Sequence, residues 1–185
     1  MTPTNFTVPA APAPPGTQVV TDGQRGVVFA LPQDFTAADF TVILSDPQKK
    51  AEMNRLFTEL GLTPGILDEL AQQVSFAAFA QPSASGSDTV SISRPSLPRF
   101  ITSEEITGQL ATFPQIRVGD TDSVATSLGE ARRTPYSYTL KSIPLSGEFL
   151  QIPSQAGITQ AIVTSPTQRT AAAIADTILA TWSTR

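Results

Sequence analysis

The chain has 185 residues, 40% hydrophobic and 15% charged, with a formal net charge of −4; this suits one domain with an apolar core and excludes a nucleic-acid backbone binder, which needs a basic stripe to displace counterions. It contains no histidine and no cysteine, which excludes imidazole- and thiolate-based nucleophiles and the ordinary zinc, copper and non-haem iron sites. No run approaches the roughly 20 apolar residues of a membrane span, and the N-terminus has neither a basic n-region nor an apolar h-region.

Residues 1–16 carry proline at positions 3, 9, 12, 14 and 15 and almost no charge. Fixed φ angles and missing donors keep such a stretch from closing a helix or sheet, so it reads as a Pro-rich flexible N-terminal arm ahead of a single domain, 17–185. The arm is either a tether for a partner or a disordered terminus, and Asn5-Phe6-Thr7 matches a glycosylation sequon. Gly26 to Leu31 and Phe40 to Leu44 are expected strands, closed by Pro32 and by Asp46-Pro47. From Gln48 the period changes, with Met53, Leu56, Phe57 and Leu60 on one helical face and Gly61 as its left-handed stop. Thr63-Pro64 is the expected start of a second helix that buries Leu67, Leu70, Ala71 and Val74.

Phe76 to Ala80 and Asp88 to Ser93 are expected to pair as a hairpin across a Ser/Pro/Gly loop. Thr102-Ser103-Glu104-Glu105 is a capping box, with Ile101 and Ile106 as its staple and Ile106, Leu110 and Phe113 on the buried face. Ile116 to Ala125, Ala131 to Leu140, Glu148 to Ile152 and Ile158 to Val163 are four strand candidates that predict an antiparallel meander. Ser165-Pro166-Thr167-Gln168 is expected to cap a last helix burying Ile174, Ile178 and Trp182, with Ala171 and Ala175 allowing close approach. The order predicts an α+β fold: an antiparallel sheet of about six strands, in one layer, with helices packed on it.

No catalytic, cofactor-binding or metal-binding residue is assigned, and no cofactor is implied. Asp120 and Asp122 are too few carboxylates for a calcium cage. Glu104 and Glu105 point about 100° apart on a helix and suit its dipole instead of a catalytic pair. Ser127 sits in a near miss to the G-x-S-x-G elbow, but no histidine can serve it as base. The segment Arg94 to Phe100 (RPSLPRF) is the leading partner-binding candidate, because Arg94, Leu97, Arg99 and Phe100 are anchor-type residues on a proline-stiffened loop. The alternative is that the loop crosses a sheet edge with Leu97 and Phe100 in the core. Arg132 and Arg133 join the candidates, since neighbours on a strand face opposite sides and one of them can meet a partner acid. Tyr136 and Tyr138 are either core residues or, with Phe149, the lining of a pocket for a small apolar ligand.

Leu31-Pro32 at a strand end with LPQDF, DTDSVATSLGEARR after the third helix, QAIVTSP late in the chain and a closing amphipathic helix together resemble the Mog1/PsbP-like fold, in particular the actinobacterial LpqN/LpqT-type proteins. The resemblance implies a non-enzymatic scaffold that docks onto other proteins and assemblies. Two departures stand: the aromatic that often follows the opening Leu-Pro is displaced to Phe35, and no lipobox cysteine is present, so lipoprotein status is unsupported. The expected function is a protein-binding accessory module. Its partner is another protein or protein assembly, with self-association also admitted. The alternatives are a structural subunit of a virion or secretion machine and a carrier of a small apolar ligand. As written the chain is expected to be cytoplasmic, with the cell envelope or an assembled particle as the alternative for a processed fragment or virion protein.

Overall fold

The computed structural model describes residues 7–59 and 65–185. At the N-terminus β1 (Thr17–Asp22) and β2 (Val27–Pro32) pair antiparallel, and β2 also pairs with β11 (Ser183–Thr184) at the end of the chain. The turn between β1 and β2 begins at Asp22-Gly23, a hairpin signal, and closes with the Gly26 N–H on the Asp22 carbonyl at 2.9 Å. The remaining strands form a second, eight-stranded sheet: β3 (Thr36–Asp39), β4 (Val74–Phe79), β5 (Thr89–Ser93), β6 (Arg117–Val118), β7 (Asp122–Thr126), β8 (Gly129–Leu140), β9 (Ile143–Ser154) and β10 (Gly157–Ser165). Its order is β3-β4-β5-β10-β9-β8-β6, with β7 also paired to β8. The fold is α+β with antiparallel sheets, as expected, but among the described residues eleven strands in two sheets replace the expected six or so in one.

Among the described residues the helices are α1 (Phe40–Ser45), α2 (Pro47–Glu59), α3 (Ile66–Gln73), α4 (Ser103–Leu110) and α5 (Gln168–Thr181). Phe40 to Leu44, expected as a strand, is α1. Asp39 ends β3 and accepts the Thr41 N–H at 2.9 Å as an N-cap, after which Phe40 and Ile43 bury at helical spacing. The second helix buries only Phe57, while α3 begins at Ile66 after Gly65 (φ 89°) and buries Leu67 and Ala71. Val74 leaves that helix and opens β4. The positions Asn5, Phe6, Leu60, Gly61, Thr63 and Pro64 lie outside the described residues. The expected strand Ile116 to Ala125 is split into β6 and β7. Pro135 of β8 faces the gap with no N–H to donate, and the ladder is carried there by Gly119 N–H on the Pro135 carbonyl at 2.8 Å. The last helix is capped by Thr167, whose hydroxyl accepts the Thr170 N–H, not by Ser165.

Residue alternation along β8 and β9 covers the large sheet on both faces. One face packs Ala131, Leu150, Ile152 and Val163 against α5 and the small sheet, where Trp182 stacks on Phe29 at 5.2 Å and donates its Nε1–H to the Pro153 carbonyl. The opposite face carries α4 over Tyr136, Tyr138 and Phe149 at one end and α1–α3 over Ala38 and Phe79 at the other. Residues ahead of β1 meet the domain through Val8 N–H on the Thr126 carbonyl (3.2 Å) and Ala11 N–H on the Ala180 carbonyl (2.8 Å). Among the described residues no helix is long and apolar enough to cross a membrane.

Candidate functional site

The segment from Arg94 to Thr102 leaves β5 and crosses the open face of the sheet to α4, and it is fastened at nearly every step. Leu97 forms a two-hydrogen-bond bridge with Ile158 of β10, both at 2.9 Å. The buried Gln151 side chain acts as a substitute peptide group, accepting the Ile101 N–H at 2.6 Å and donating to the Ile101 carbonyl at 3.1 Å. Arg99 grips Glu105 with both guanidinium nitrogens (2.7 and 3.0 Å) and caps the Phe100 carbonyl. Glu105 in turn accepts the Thr102 N–H at 2.8 Å, closing the capping box read from the sequence. The Arg99 guanidinium first, and the Thr102 N–H after it, pull the Glu105 carboxyl down to about 2. Its folded pKa lies below the unfolded one, so this clamp is fully charged above pH 4.5 and is lost only as pH falls through the lowered value.

This fastening builds an open groove of about 510 Å³ between the loop and α4, walled by Leu97, Pro98, Arg99 and Ile101 on one side and by Glu105, Gly108 and Gln109 on the other. Next to it the Arg132 guanidinium lies over the Phe100 ring, 4.5 Å from its centroid. Leu97, Arg99, Phe100 and Arg132 are thus gathered on one face. Leu97 and Phe100 are half-buried, so each of the two sequence readings holds in part: the loop crosses the sheet, and its apolar residues still line a surface groove.

Arg94 and Arg133 stand elsewhere, and internal acceptors take up both guanidiniums. Arg94 Nε donates to the Ala71 carbonyl at the end of α3 (2.6 Å) and Nη1 to Gln24 Oε1 (2.7 Å). Arg133 points to the α5 side of β8, opposite Arg132, and makes a bidentate pair with Glu148 and a further contact with Asp176. Of the two readings of Tyr136, Tyr138 and Phe149, core residues or a pocket lining, the structure favours the first: all three are buried, and Phe113 stacks on Tyr138 at 4.5 Å. The Ser127 hydroxyl is turned to the Trp182 carbonyl. Asp120 and Asp122 are exposed on the β6–β7 side.

One polar cluster escapes the sequence reading. Asp22, at the end of β1, is fully buried; it accepts the Gln24 and Arg25 N–H groups and, at 2.6 Å, the hydroxyl of the equally buried Ser75 on β4. Arg25, buried beside it, donates to the Ser93 and Arg94 carbonyls. The signal that reveals this junction of the two sheets is the Asp22-Gly23 pair between TQVVT and GVVF, which marks a hairpin whose first strand no apolar run announces. Burial raises the Asp22 carboxyl pKa, more than the Ser75 hydroxyl and the two N–H groups lower it. A raised folded pKa means that stability is full below the unfolded value and is lost as pH rises through the folded one. Asp22→Asn is therefore expected to gain on the wild type as pH rises from about 3 to 7. Urea midpoints of both proteins across that range measure it, and parallel curves would show that Asp22 carries no such linkage.

No protein-family model matches the chain, and no curated protein matches it. Among solved structures the chain is similar to cyanobacterial PsbP (CyanoP) from Synechocystis sp. PCC 6803, with a TM-score of 0.55 and 10% identity over 99% of both chains. The chain has a PsbP-like fold. It is also similar to LpqN of Mycobacterium tuberculosis, described as involved in cell envelope biogenesis, with a TM-score of 0.50 and 14% identity over 91% of each chain. At these identities the likeness is one of architecture, and it agrees with the resemblance that LPQDF and QAIVTSP carry in the sequence.

Proposed function

We propose that the protein is a non-catalytic accessory module that binds another protein or protein assembly through the groove between the Leu97–Ile101 loop and α4. The observation that carries this reading is the groove itself: the half-buried Leu97 and the exposed Pro98 stand over a floor formed by the buried Ile101, on a loop clamped through Gln151, Ile158 and Glu105. A preordered surface with an apolar floor, a charged rim and the Arg132–Phe100 stack beside it loses little entropy on binding and matches the make-up of interface hot spots. The PsbP-like fold supports the same reading by likeness alone. LpqN's description in cell envelope biogenesis supports the cell envelope as the compartment, and fractionation of the native host separates this from the cytoplasm.

Gly108 supplies the test, because a Cβ added there meets no atom within 4 Å and the residue is exposed on α4. Gly108→Ala is expected to stabilise the protein by at most about 0.5–1 kcal/mol, as a glycine in the last turn of a helix replaced by the best helix former. Gly108→Arg is expected to keep the fold, since a Cβ there has open space, and to fill the groove. In crosslinked pull-downs from the native host, a prey held by the wild type and by Gly108→Ala but lost with Gly108→Arg supports the reading. A prey retained by Gly108→Arg removes the groove from it, and stoichiometric self-association without prey transfers the assignment to the assembly-subunit alternative.

A further inference from the structure

The small sheet ends in an undefended edge. β1 pairs with β2 on one side only. The hydrogen-bond phase of that pair is fixed by two observations: Gln33 N–H donates to the Gly16 carbonyl, and Ala30 N–H turns away from β1 to the Thr181 hydroxyl at 2.8 Å. The bonded pairs are therefore Gln18–Leu31, Val20–Phe29 and Asp22–Val27, and the N–H and C=O groups of Val19 and Thr21 point outward. None of these four groups has a hydrogen-bond partner among the described residues. Natural edge strands are usually blunted by lysine, proline or a bulge. β1 reads Thr-Gln-Val-Val-Thr-Asp, its one charge is the buried Asp22, and Val19 is 63% exposed, the most exposed of the large hydrophobic side chains among the described residues.

The edge faces a groove of about 590 Å³. Val20 and Thr21 both line it although successive residues of a strand face opposite ways, so the groove meets β1 edge-on. Across it stand Ala37 and Phe76 of the large sheet, and Met53 and Leu56 of α2 form its roof. This is the mouth of the core between the two sheets, where Val20 and Phe76 are already core residues. The rim residues Lys49, Glu52, Asp39 and Arg55 balance in charge and select for neither sign.

We propose that β1 is a strand-addition site that takes an extended peptide segment of another protein, with apolar side chains at alternate positions. The chemistry of the free groups names the occupant: two outward N–H and two outward C=O groups in strand spacing are complemented by another extended backbone. The groove beside them takes every second side chain. Met53 and Leu56 of α2 and Ala37 of β3 line the groove beside this edge, which favours a single extended segment as occupant over the edge of a second folded copy. This site shares no lining residue with the loop–α4 groove.

Val19→Pro tests it, because it removes an N–H that the fold does not use and puts proline where edge strands tolerate it. Dodecapeptides selected by phage display on the full-length wild type are expected to alternate apolar and polar residues and to protect the Val19 and Thr21 amides from hydrogen exchange, with the bonded Val20 amide slow throughout. They are expected to bind folded Val19→Pro roughly tenfold more weakly and Gly108→Arg unchanged. Failure to enrich any alternating sequence, equal binding to Val19→Pro, or protection confined to other amides overturns the proposal. So does protection of Val19 and Thr21 that grows with protein concentration in the absence of peptide, which makes a second copy the occupant. Should Val19→Pro not fold, the exchange pattern on the wild type decides alone.

Discussion

Gly147→Ala is expected to lower stability by about 4 kcal/mol, an overpacking cost joined to the loss of a buried tyrosine's hydrogen bonds. Gly147 lies in β9, opposite Tyr136 of β8 and Thr164 of β10. The Tyr136 ring lies flat across the glycine, and its hydroxyl reaches the third strand, bonding to the Val163 carbonyl at 3.0 Å and to the Thr164 hydroxyl at 2.6 Å. A Cβ at 147 would stand well inside van der Waals contact with both the ring and that carbonyl. The backbone cannot withdraw, because β9 is hydrogen-bonded on both sides here, and the ring cannot lift without colliding with α4, which packs on the same cluster. The thermal midpoint is expected to fall by on the order of 10 °C for a chain of this size. Tyr136→Phe, which keeps the ring and removes only the hydroxyl, is expected to cost about 1–2 kcal/mol. Combining Gly147→Ala with Tyr136→Ala tests the cause: the double variant should cost less than the sum of the two by more than about 1 kcal/mol, because Tyr136→Ala removes the ring that the new Cβ meets and the tyrosine's hydrogen bonds are lost only once. An additive pair in chemical denaturation would show that the damage lies in the strand and not in the tyrosine.

How far such features can be read from the sequence depends on whether their cause is local. The capping box at Thr102–Glu105 is a four-residue interaction, and its letters state it; the meander of β8, β9 and β10 follows from apolar alternation, again a local pattern, although of its two turns only the second carries a glycine, Gly157, the first being Lys141-Ser142. Phe40 to Leu44 misleads because a β-branched apolar run of five serves a buried helix turn as well as a strand, and only the Asp39 cap decides. β1 is missed because Gln18 and the two threonines dilute its alternation, so its turn, and not its body, carries the evidence. The candidate site shows the same division. That the loop from Arg94 to Phe100 is stiff is written in its prolines. That Arg99 and Phe100 stay at the surface beside Arg132 while Arg94 is drawn inside depends on acceptors 20 and more residues away, the Ala71 and Val74 carbonyls among them. A guanidinium's destination is set by tertiary partners, and two adjacent arginines at 132 and 133 announce only that one goes to each face.

Arg133→Met is the second substitution with a large expected effect, about 3–5 kcal/mol, the range for removing one partner of a buried ion pair. The Glu148 side chain is 2% exposed and that of Arg133 20%, so the pair is largely shielded from water. Arg133 holds both carboxylate oxygens at 3.0 Å, and Gln168 from the first turn of α5 donates to one of them at 2.6 Å. The Glu148 hydrogen bonds, more than any other influence, hold the Arg133 guanidinium protonated against the effect of its burial. Without Arg133 the carboxylate keeps one neutral donor, which offsets little of the cost of leaving a charge inside. Asp176, the other acid at this arginine, is 67% exposed, and Asp176→Ala is expected to change stability by less than about 1 kcal/mol. Arg133→Met combined with Glu148→Leu should recover most of the loss, since apolar residues of similar volume replace a desolvated pair at little cost and the exposed Gln168 can turn to water. Denaturant midpoints of the four proteins settle the coupling. The same set separates structure from binding: if Arg133 serves the fold alone, the folded fraction of Arg133→Met holds its prey as the wild type does, whereas a stable double variant that has lost its prey would return Arg133 to the docking surface.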